Sequence, residues 1–138
     1  MADMIEIKHL NKYFGDLHVL KDINLTVKRG EKLVMIGPSG SGKSTLVQHL
    51  NGLIRPQEGS VCALGLDLSN KKDAAAVKAK VGVVFQYPER QLFAETVAQD
   101  VAFGPHNLGL PQDEVDRRVE SSLSRVGLDL STVGDKSP

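Results

Sequence analysis

The sequence predicts an α/β fold in two parts, and three observations support that prediction. In the first third of the 138 residues, apolar and polar side chains alternate with the period of two that half-buried strands show. A short apolar run then leads directly into a glycine-rich stretch and the apolar spacing of a helix. From Gln86 onward the strand signals stop, and apolar side chains recur at helical spacing. We therefore expect a strand-rich part over residues 1–86 and a small helical part over residues 87–138.

Five strands are predicted in the first part. Alternation indicates two strands joined by a turn at Gly15 and Asp16. The apolar positions of these two strands are Ile5, Ile7, Val19, Leu20, Ile23, Leu25 and Val27. Residues 32–36 form an apolar run that is typical of a buried strand. Residues 60–64 and 81–85 predict two further strands.

Two helices are predicted in the same part. The first follows the glycine-rich stretch and should end at Asn51 and Gly52, where glycine can cap a helix. The second is the alanine-rich segment 73–80.

The second part predicts two helices more. Residues 96–103 have a helical pattern that Gly104 and Pro105 should break. Pro111 opens the next helix and Gly127 closes it. An apolar stripe along this helix is expected to face the core. It consists of Val115, Val119, Leu123 and Val126.

The composition excludes several functional classes. The 17 basic and 17 acidic side chains cancel, so no bulk attraction to nucleic acid is expected. No apolar run approaches the roughly 20 residues that cross a bilayer, and the first residues do not resemble a secretory signal. The single cysteine, Cys62, cannot form an internal disulfide, which fits a reducing compartment. These features indicate a globular cytoplasmic chain.

Residues 37–44 match a phosphate-binding motif in which two glycines five positions apart are followed by lysine and serine. The motif consists of Gly37, Pro38, Ser39, Gly40, Ser41, Gly42, Lys43 and Ser44. Its glycines at 37, 40 and 42 are expected to adopt positive φ, so that backbone N–H groups form a concave anion site at a helix start. Lys43 is expected to lie against the β- and γ-phosphates, and the Ser44 hydroxyl to ligand Mg²⁺ with Thr45 beside it. The motif predicts binding of a nucleoside triphosphate, and we expect ATP.

The residues around the motif narrow its meaning. Tyr13-Phe14-Gly15, residues 19–23, the motif itself, Gly52-Leu53 and residues 56–59 together resemble the start of an ABC transporter ATPase, and the resemblance extends over the whole chain. It implies a partial P-loop NTPase core with an antiparallel β subdomain and the start of a helical subdomain. In that family the aromatic residue before such a glycine stacks on adenine. This implies that Phe14 is the stacking residue, with Tyr13 as the alternative.

The second part resembles one subgroup of that family. Residues 83–86 resemble the strand that leads to the Q-loop glutamine of the family. This resemblance implies that Gln86 senses Mg²⁺ or the attacking water. Residues 86–110 resemble the energy-coupling-factor ATPases, which power vitamin and metal-ion uptake. The segment from Tyr87 to Gly104 would then dock on a transmembrane subunit at the inner face of the membrane. A second ATPase subunit, identical or different, is also implied.

Three motifs of the family do not occur in these 138 residues. They are the Leu-Ser-Gly-Gly-Gln signature, an apolar strand ending in Asp-Glu, and the switch histidine. The four histidines, which we interpret as surface or packing residues, are His9, His18, His49 and His106. We therefore expect a truncated subunit that binds MgATP weakly, hydrolyses it negligibly when alone, and has marginal stability or self-associates.

Two alternatives remain open. Residues 12–27 and the Pro38-Ser39 pair are closer to amino-acid-importer ATPases, so an importer of that type or a soluble ABC ATPase also fits. The other alternative is a fragment that binds ATP or a partner subunit without catalysis.

Overall fold

The structure is a computed structural model that describes residues 3–138. The chain divides into two compact units, the first ending at Val83 and the second running from Val84 to Pro138. This division lies three residues before the boundary predicted from the sequence. The assignment of residues 1–86 to a nucleotide-binding core and of residues 87–138 to a helical subdomain stays a prediction.

An antiparallel sheet forms the centre of the first unit. Its strands are β1 (Asp3–Phe14), β2 (Leu17–Lys28), β3 (Glu58–Ala63) and β4 (Leu66–Asp67), in the spatial order β2-β1-β3-β4. The first two strands form the predicted hairpin, and Gly15 takes a φ of 59° in its turn. The predicted antiparallel sheet is therefore confirmed.

Two helices cover one face of this sheet. They are α1 (Lys43–Leu50) and α2 (Lys71–Lys78), and the latter begins where the Asn70 side chain accepts hydrogen bonds from the backbone of Lys72 and Asp73. Both helices were predicted within a few residues. The buried apolar side chains of this unit form one cluster between sheet and helices. Its members are Ile7, Leu10, Leu20, Leu46, Val61, Ala63, Leu68, Ala74 and Val77.

Two predicted strands are not strands in the structure. Residues 32–36 and 81–85 form no ladder, and all strand pairing among residues 3–138 occurs within β1 to β4. A buried strand is stable only when neighbouring strands pair with its backbone and other elements cover its faces. The first condition is not met, and although Met35 and Val81 pack against the core, the side chains of Val34, Ile36 and Val84 are 81%, 94% and 79% exposed. The apolar pattern was identified correctly, but the prediction of strands was wrong.

The second unit is helical. A 3₁₀ turn (Pro88–Gln91) precedes α3 (Val97–Asn107), α4 (Gln112–Arg125) and the short α5 (Leu130–Val133). The start of α3 carries a capping box, in which Thr96 and Gln99 exchange side chain–backbone hydrogen bonds. Along α4, the buried side chains are three members of the predicted stripe. They are Val115, Val119 and Leu123.

Two details of the helical prediction were wrong. The pair Gly104-Pro105 does not break α3, which continues to Asn107. Pro105 has no N–H for the carbonyl of residue 101, but the helix continues because the Leu108 N–H still donates to the carbonyls of residues 104 and 105. Val126 does not join the buried stripe but is 70% exposed, because α4 ends at Arg125. Among residues 3–138, the structure contains no helix with the length and apolar character of a membrane span.

Candidate functional site

The glycine-rich loop runs from residue 37 to the start of α1. Gly40 and Gly42 take φ values of 79° and 97°, in the left-handed region that side chains disfavour. Gly42 is also the N-cap of α1, and a Cβ atom there would lie 3.1 Å from Leu20 Cδ2 and 3.2 Å from the Val19 carbonyl oxygen. The loop therefore needs glycine at residue 42 for two reasons, one conformational and one steric. This fixes the start of α1 against β2.

Gly37 differs from the other two glycines. The prediction of a positive φ at this residue was wrong, since Gly37 is not among the glycines with positive φ. Its steric surroundings explain the glycine instead, because a Cβ atom would lie 2.9 Å from Ser41 Oγ. Gly37 therefore permits the close approach of one side of the loop to the other.

The start of α1 is suited to an anion. Gly42 offers no side-chain cap to the free N–H groups of the first turn, and no acidic residue lies in that turn. The helix dipole adds a partial positive charge at the same place. Within the loop, the Ser41 N–H donates to the Pro38 carbonyl, which closes the turn that precedes the helix. An anionic group is the natural partner for such a helix start.

Lys43 adds a full positive charge to the loop. Its Nζ donates to the carbonyls of Gly37 and Pro38 at 2.5 and 2.8 Å and to Ser41 Oγ at 3.1 Å. The ammonium therefore lies across the concave side of the loop, held by neutral oxygen atoms and not by a carboxylate. A phosphate oxygen can replace these acceptors with a stronger, charge-assisted bond.

The residues that follow Lys43 offer oxygen atoms. Ser44 is exposed at the start of α1, and Thr45 next to it is half-buried. A hydroxyl is a suitable ligand for Mg²⁺, which prefers oxygen and keeps several ligands from phosphate and water. Residues 3–138 contain no cluster of three or more His, Cys, Asp or Glu side chains that could hold a metal ion. The fit for Mg²⁺ thus depends on the Ser44 hydroxyl together with oxygen atoms of a bound phosphate.

Phe14 lies at the end of the β1–β2 hairpin. It pairs with Leu17, is 50% exposed, and carries Lys12 Nζ at 4.8 Å from its ring centroid. Along β2, Val19 follows Leu17 by two residues, about 7 Å at the usual strand rise, and Val19 and Leu20 are the residues that contact Gly42. The aromatic ring and the glycine-rich loop are therefore both next to β2 in the first unit.

Tyr13 is the weaker candidate for a stacking platform. Its ring stacks on His18 with centroids 4.1 Å apart and an interplanar angle of 13°. Its N–H donates to Gln57 Oε1 at 2.8 Å, which ties the hairpin to the segment before β3. Because successive side chains of a strand point to opposite faces, Tyr13 and Phe14 do not share a surface. The ring of Phe14 is the more accessible of the two.

The remaining predicted residues belong to the second unit. Gln86 is exposed in a bend three residues after Val83. In the segment that follows, the Arg90 guanidinium lies 4.6 Å from the Tyr87 ring centroid, and the exposed rings of Phe93 and Phe103 meet edge to face at 4.7 Å. The loop residues and Phe14 thus lie in the first unit, and Gln86 and the aromatic surface lie in the second; their shared role in one site stays a prediction.

One residue near the loop was missed by sequence reasoning. His49, interpreted as a surface or packing residue, is fully buried, and its Nδ1 lies 2.8 Å from the Thr45 carbonyl oxygen. Its Nε2 is buried without a hydrogen-bond partner among the described residues. Burial lowers the pKa of His49; the bond to Thr45 opposes this effect, and the charge of Lys12 adds to it. The sequence gives no specific signal for this bond, since a spacing of four from Thr45 is one that any helix provides.

Comparison with known proteins gives related sequences over most of the chain. Residues 20–136 match the family described as ABC transporter. The energy-coupling factor transporter ATP-binding protein EcfA2 of Symbiobacterium thermophilum is 57% identical over 120 residues, which cover 86% of this chain and 41% of that protein. EcfA of Methanothermobacter thermautotrophicus is 50% identical over 127 residues, with coverages of 91% and 41%. The chain thus spans about two-fifths of the length of these relatives.

Solved structures agree with the sequence matches. The cbiO1 protein of Clostridium perfringens, described as part of the ABC transporter complex cbiONQ, is 38% identical with a TM-score of 0.82, over 97% of this chain and 53% of that one. The ATP-binding cassette MJ0796, as a dimer bound to ADP and Pi, is 26% identical with a TM-score of 0.78, over 98% and 62%. These neighbours confirm the predicted α/β class. With its phosphate loop, its fold and a family match over most of its length, the chain belongs to the ABC transporter family, next to the ATP-binding proteins of energy-coupling factor transporters.

Proposed function

We propose that this chain is the nucleotide-binding portion of an ATP-binding subunit of an ABC importer of the energy-coupling-factor type. The observation that carries the proposal is the uncapped start of α1 at Gly42, with the Lys43 ammonium lying across the loop. The whole subunit would couple ATP binding and hydrolysis to uptake of a vitamin or a metal ion. Its place would be the cytoplasmic face of the membrane, held there through the transporter.

The nucleotide would bind in two places within the first unit. The triphosphate would lie on the loop, against the free N–H groups of α1 and the Lys43 ammonium. The adenine would stack on the open face of Phe14, opposite Lys12. Ser44 is the Mg²⁺ ligand proposed within this unit; when bound, the ion neutralises charge on the phosphates. Gln86, in the second unit, keeps its predicted role of sensing Mg²⁺ or the attacking water. This chain's own groups bind and orient the nucleotide.

The transmembrane partner would dock on the segment from Tyr87 to Gly104. Exposed aromatic rings support this, because aromatic side chains with arginine are enriched at protein interfaces. A second ATP-binding subunit is proposed as the other partner. The dimeric form of MJ0796 supports it, as a property of that relative.

The chain is proposed to bind ATP without robust turnover on its own. Phosphoryl transfer needs groups that orient water and stabilise the transition state, whereas the loop stabilises bound phosphate in the ground state. A steady-state phosphate-release assay on the chain, with Lys43→Ala as the background, tests this point. Turnover well above that background would contradict it.

Titration calorimetry with MgATP is the main test of binding. Lys43→Ala should weaken the affinity about 10- to 100-fold, because it removes a hydrogen bond to a charged group. Lys72→Ala is the matched control, since Lys72 is an exposed lysine on α2, and it should bind like the wild type. Equal affinities of the wild type and Lys43→Ala would reject the proposed function.

A non-catalytic interaction fragment is the second candidate. The exposed apolar segments 32–36 and 81–85 favour it, because such surface is typical of a chain that binds another protein. Addition of the chain to a full-length homologous ATPase separates the two candidates. A non-catalytic interaction fragment would change the ATPase rate of the full-length homologue even when the added chain carries Lys43→Ala.

A further inference from the structure

His49 is a buried polar residue that has no place in the proposed chemistry of the loop. It lies in the last turn of α1, its side chain is fully buried, and its ring meets the helix backbone at a single point. That point is the carbonyl oxygen of Thr45, 2.8 Å from Nδ1. The feature needs an explanation, because a polar ring in an apolar core is unfavourable unless its hydrogen bonds are made.

The hydrogen bond fixes the protonation of the ring. A carbonyl oxygen only accepts, so Nδ1 must carry the proton and donate it. In the neutral ring Nε2 then has a lone pair and no hydrogen, and it is buried without a partner among residues 3–138. An apolar side chain of similar volume would avoid this unsatisfied nitrogen. What histidine gives at residue 49 and leucine does not is the donor to Thr45.

The acceptor of this bond lies in the part of α1 that meets the phosphates. Thr45 follows Lys43 and Ser44 in the first turn, and Gly42 gives that turn no side-chain cap. The first turn therefore lacks the support that most helix starts receive. His49 stabilises this turn from within the core, because its buried ring donates a hydrogen bond from Nδ1 to the Thr45 carbonyl oxygen, one turn earlier in α1.

We propose that His49 is a positioning residue for the phosphate loop, which holds the first turn of α1 through the Thr45 carbonyl in the arrangement that receives the triphosphate. The expected effect on MgATP affinity rests on the proposed nucleotide-binding function. The expected effect on the first turn of α1 rests only on the hydrogen bond between His49 and Thr45. Both effects can therefore be tested.

Three substitutions separate the donor from the packing. His49→Asn keeps an N–H donor where Nδ1 is now, His49→Gln moves the amide one atom further out, and His49→Leu fills the space without a donor. In the ligand-free chain, amide hydrogen exchange of residues 46–48, whose N–H groups close the first turn of α1, should become about tenfold faster in the Leu and Gln variants and stay near the wild-type rate in Asn. The dissociation constant for MgATP should rise by a similar factor in the same two variants.

A core substitution away from the loop is the matched control. Val77→Ala on α2 removes buried apolar volume in the same cluster and leaves His49 and Thr45 untouched. It should speed exchange throughout the first unit without singling out residues 46–48. A purely structural role of His49 would give the same uniform pattern in His49→Leu, and that result would overturn the proposal.

Two further outcomes decide the inference. Nitrogen NMR of the wild-type ring should show the proton on Nδ1, and a proton on Nε2 alone would overturn the proposal even if every variant failed to fold. Equal MgATP affinity in the wild type and the Leu variant would also overturn it. If the wild type binds no MgATP but exchange changes only in the first turn, the positioning role is supported and the proposed function is the part that fails.

Discussion

Lys43 and the atoms around it show how hydrogen bonds fix the shape of a loop of small residues. Its ammonium uses two carbonyls and one hydroxyl as temporary acceptors, all within 3.1 Å. A phosphate that enters must displace these contacts, and it can do so because its oxygens carry charge. The distance across the loop is set by Gly37, whose missing side chain leaves room for Ser41. This leads to a prediction about the pair.

Gly37→Ala should weaken MgATP binding about threefold, because a Cβ atom 2.9 Å from Ser41 Oγ makes the Ser41 side chain shift within the loop. Adding Ser41→Ala removes that oxygen and should restore most of the affinity. Ser41→Ala alone should have a smaller effect, since Lys43 keeps two carbonyl partners. Calorimetry on the four proteins measures the coupling. Additive losses would show that the clash lies elsewhere.

His49 gives a prediction for pH. Its pKa is lowered in the folded chain, first by burial, so the unfolded chain binds this proton more readily. The contribution to stability is complete above the ordinary value of 6.5 and is lost as the pH falls from there toward the folded pKa. Urea unfolding of the wild type should therefore show decreasing stability over this window. In His49→Leu the decrease should be smaller, and identical pH slopes for the two proteins would contradict the assignment.

At the scale of elements, α3 gives the clearest case of a helix whose start is specified by its sequence. Thr96 accepts from the Gln99 N–H at 3.2 Å, and Gln99 Oε1 accepts from the Thr96 N–H at 3.3 Å. Thr96→Ala should lower the free energy of unfolding by about 1 kcal/mol, as the loss of a helix cap does elsewhere. Thr132→Ala, an exposed threonine of α5, is the control and should change it little. Chemical denaturation followed by far-ultraviolet circular dichroism measures both; equal effects would argue against the cap.

Local patterns predicted most of the elements, and the errors have a common physical origin. The β1–β2 hairpin and the buried side of α4 depend on alternation, turn residues and helical spacing, which are all local in sequence. Residues 32–36 have an equally clear apolar pattern, yet a strand also needs partners that come from elsewhere in the chain. Pro105 was overvalued as a helix breaker, because a proline removes a single backbone bond and the bonds of the residues after it can still form, as the Leu108 N–H does here.

The candidate site follows the same division. Gly40, Gly42 and Lys43 could be placed from the motif, because the loop conformation is encoded in its own residues. The roles of Gly37 and His49 depend on a neighbouring side chain and on burial in the core. Neither is visible in the spacing of residue types alone. A histidine inside a helix gives no indication of which atoms will surround it.

At the scale of the whole molecule, the unpaired apolar segments decide how the chain behaves in solution. Val34 and Ile36 are 81% and 94% exposed in an extended stretch with free backbone groups. Such a segment favours association through apolar contact and edge pairing. We expect the chain to self-associate at micromolar concentration, as sedimentation velocity would show. Val34→Lys with Ile36→Lys should shift it toward monomer.

A control in the other unit tests this assignment. Val126 is also an exposed valine, at 70%, but it lies at the end of a helix where the backbone is mostly paired. Val126→Lys should leave the association unchanged. A wild-type chain that is monomeric and unfolds cooperatively would contradict the prediction of self-association.

The contact of Gly42 with β2 has a consequence for ligand selection. Because no side chain separates them, the backbone of residue 42 lies directly against Val19 and Leu20. This contact joins the start of α1 to β2, the strand whose Leu17 pairs with Phe14. In the proposed function, a nucleotide that contacts both Phe14 and the loop needs a distance between its base and its terminal phosphates that matches the distance between these two parts of the protein. In the proposed function, the hairpin and the loop would therefore select ligands by length, and the separation of the two would depend on the absence of a side chain at residue 42.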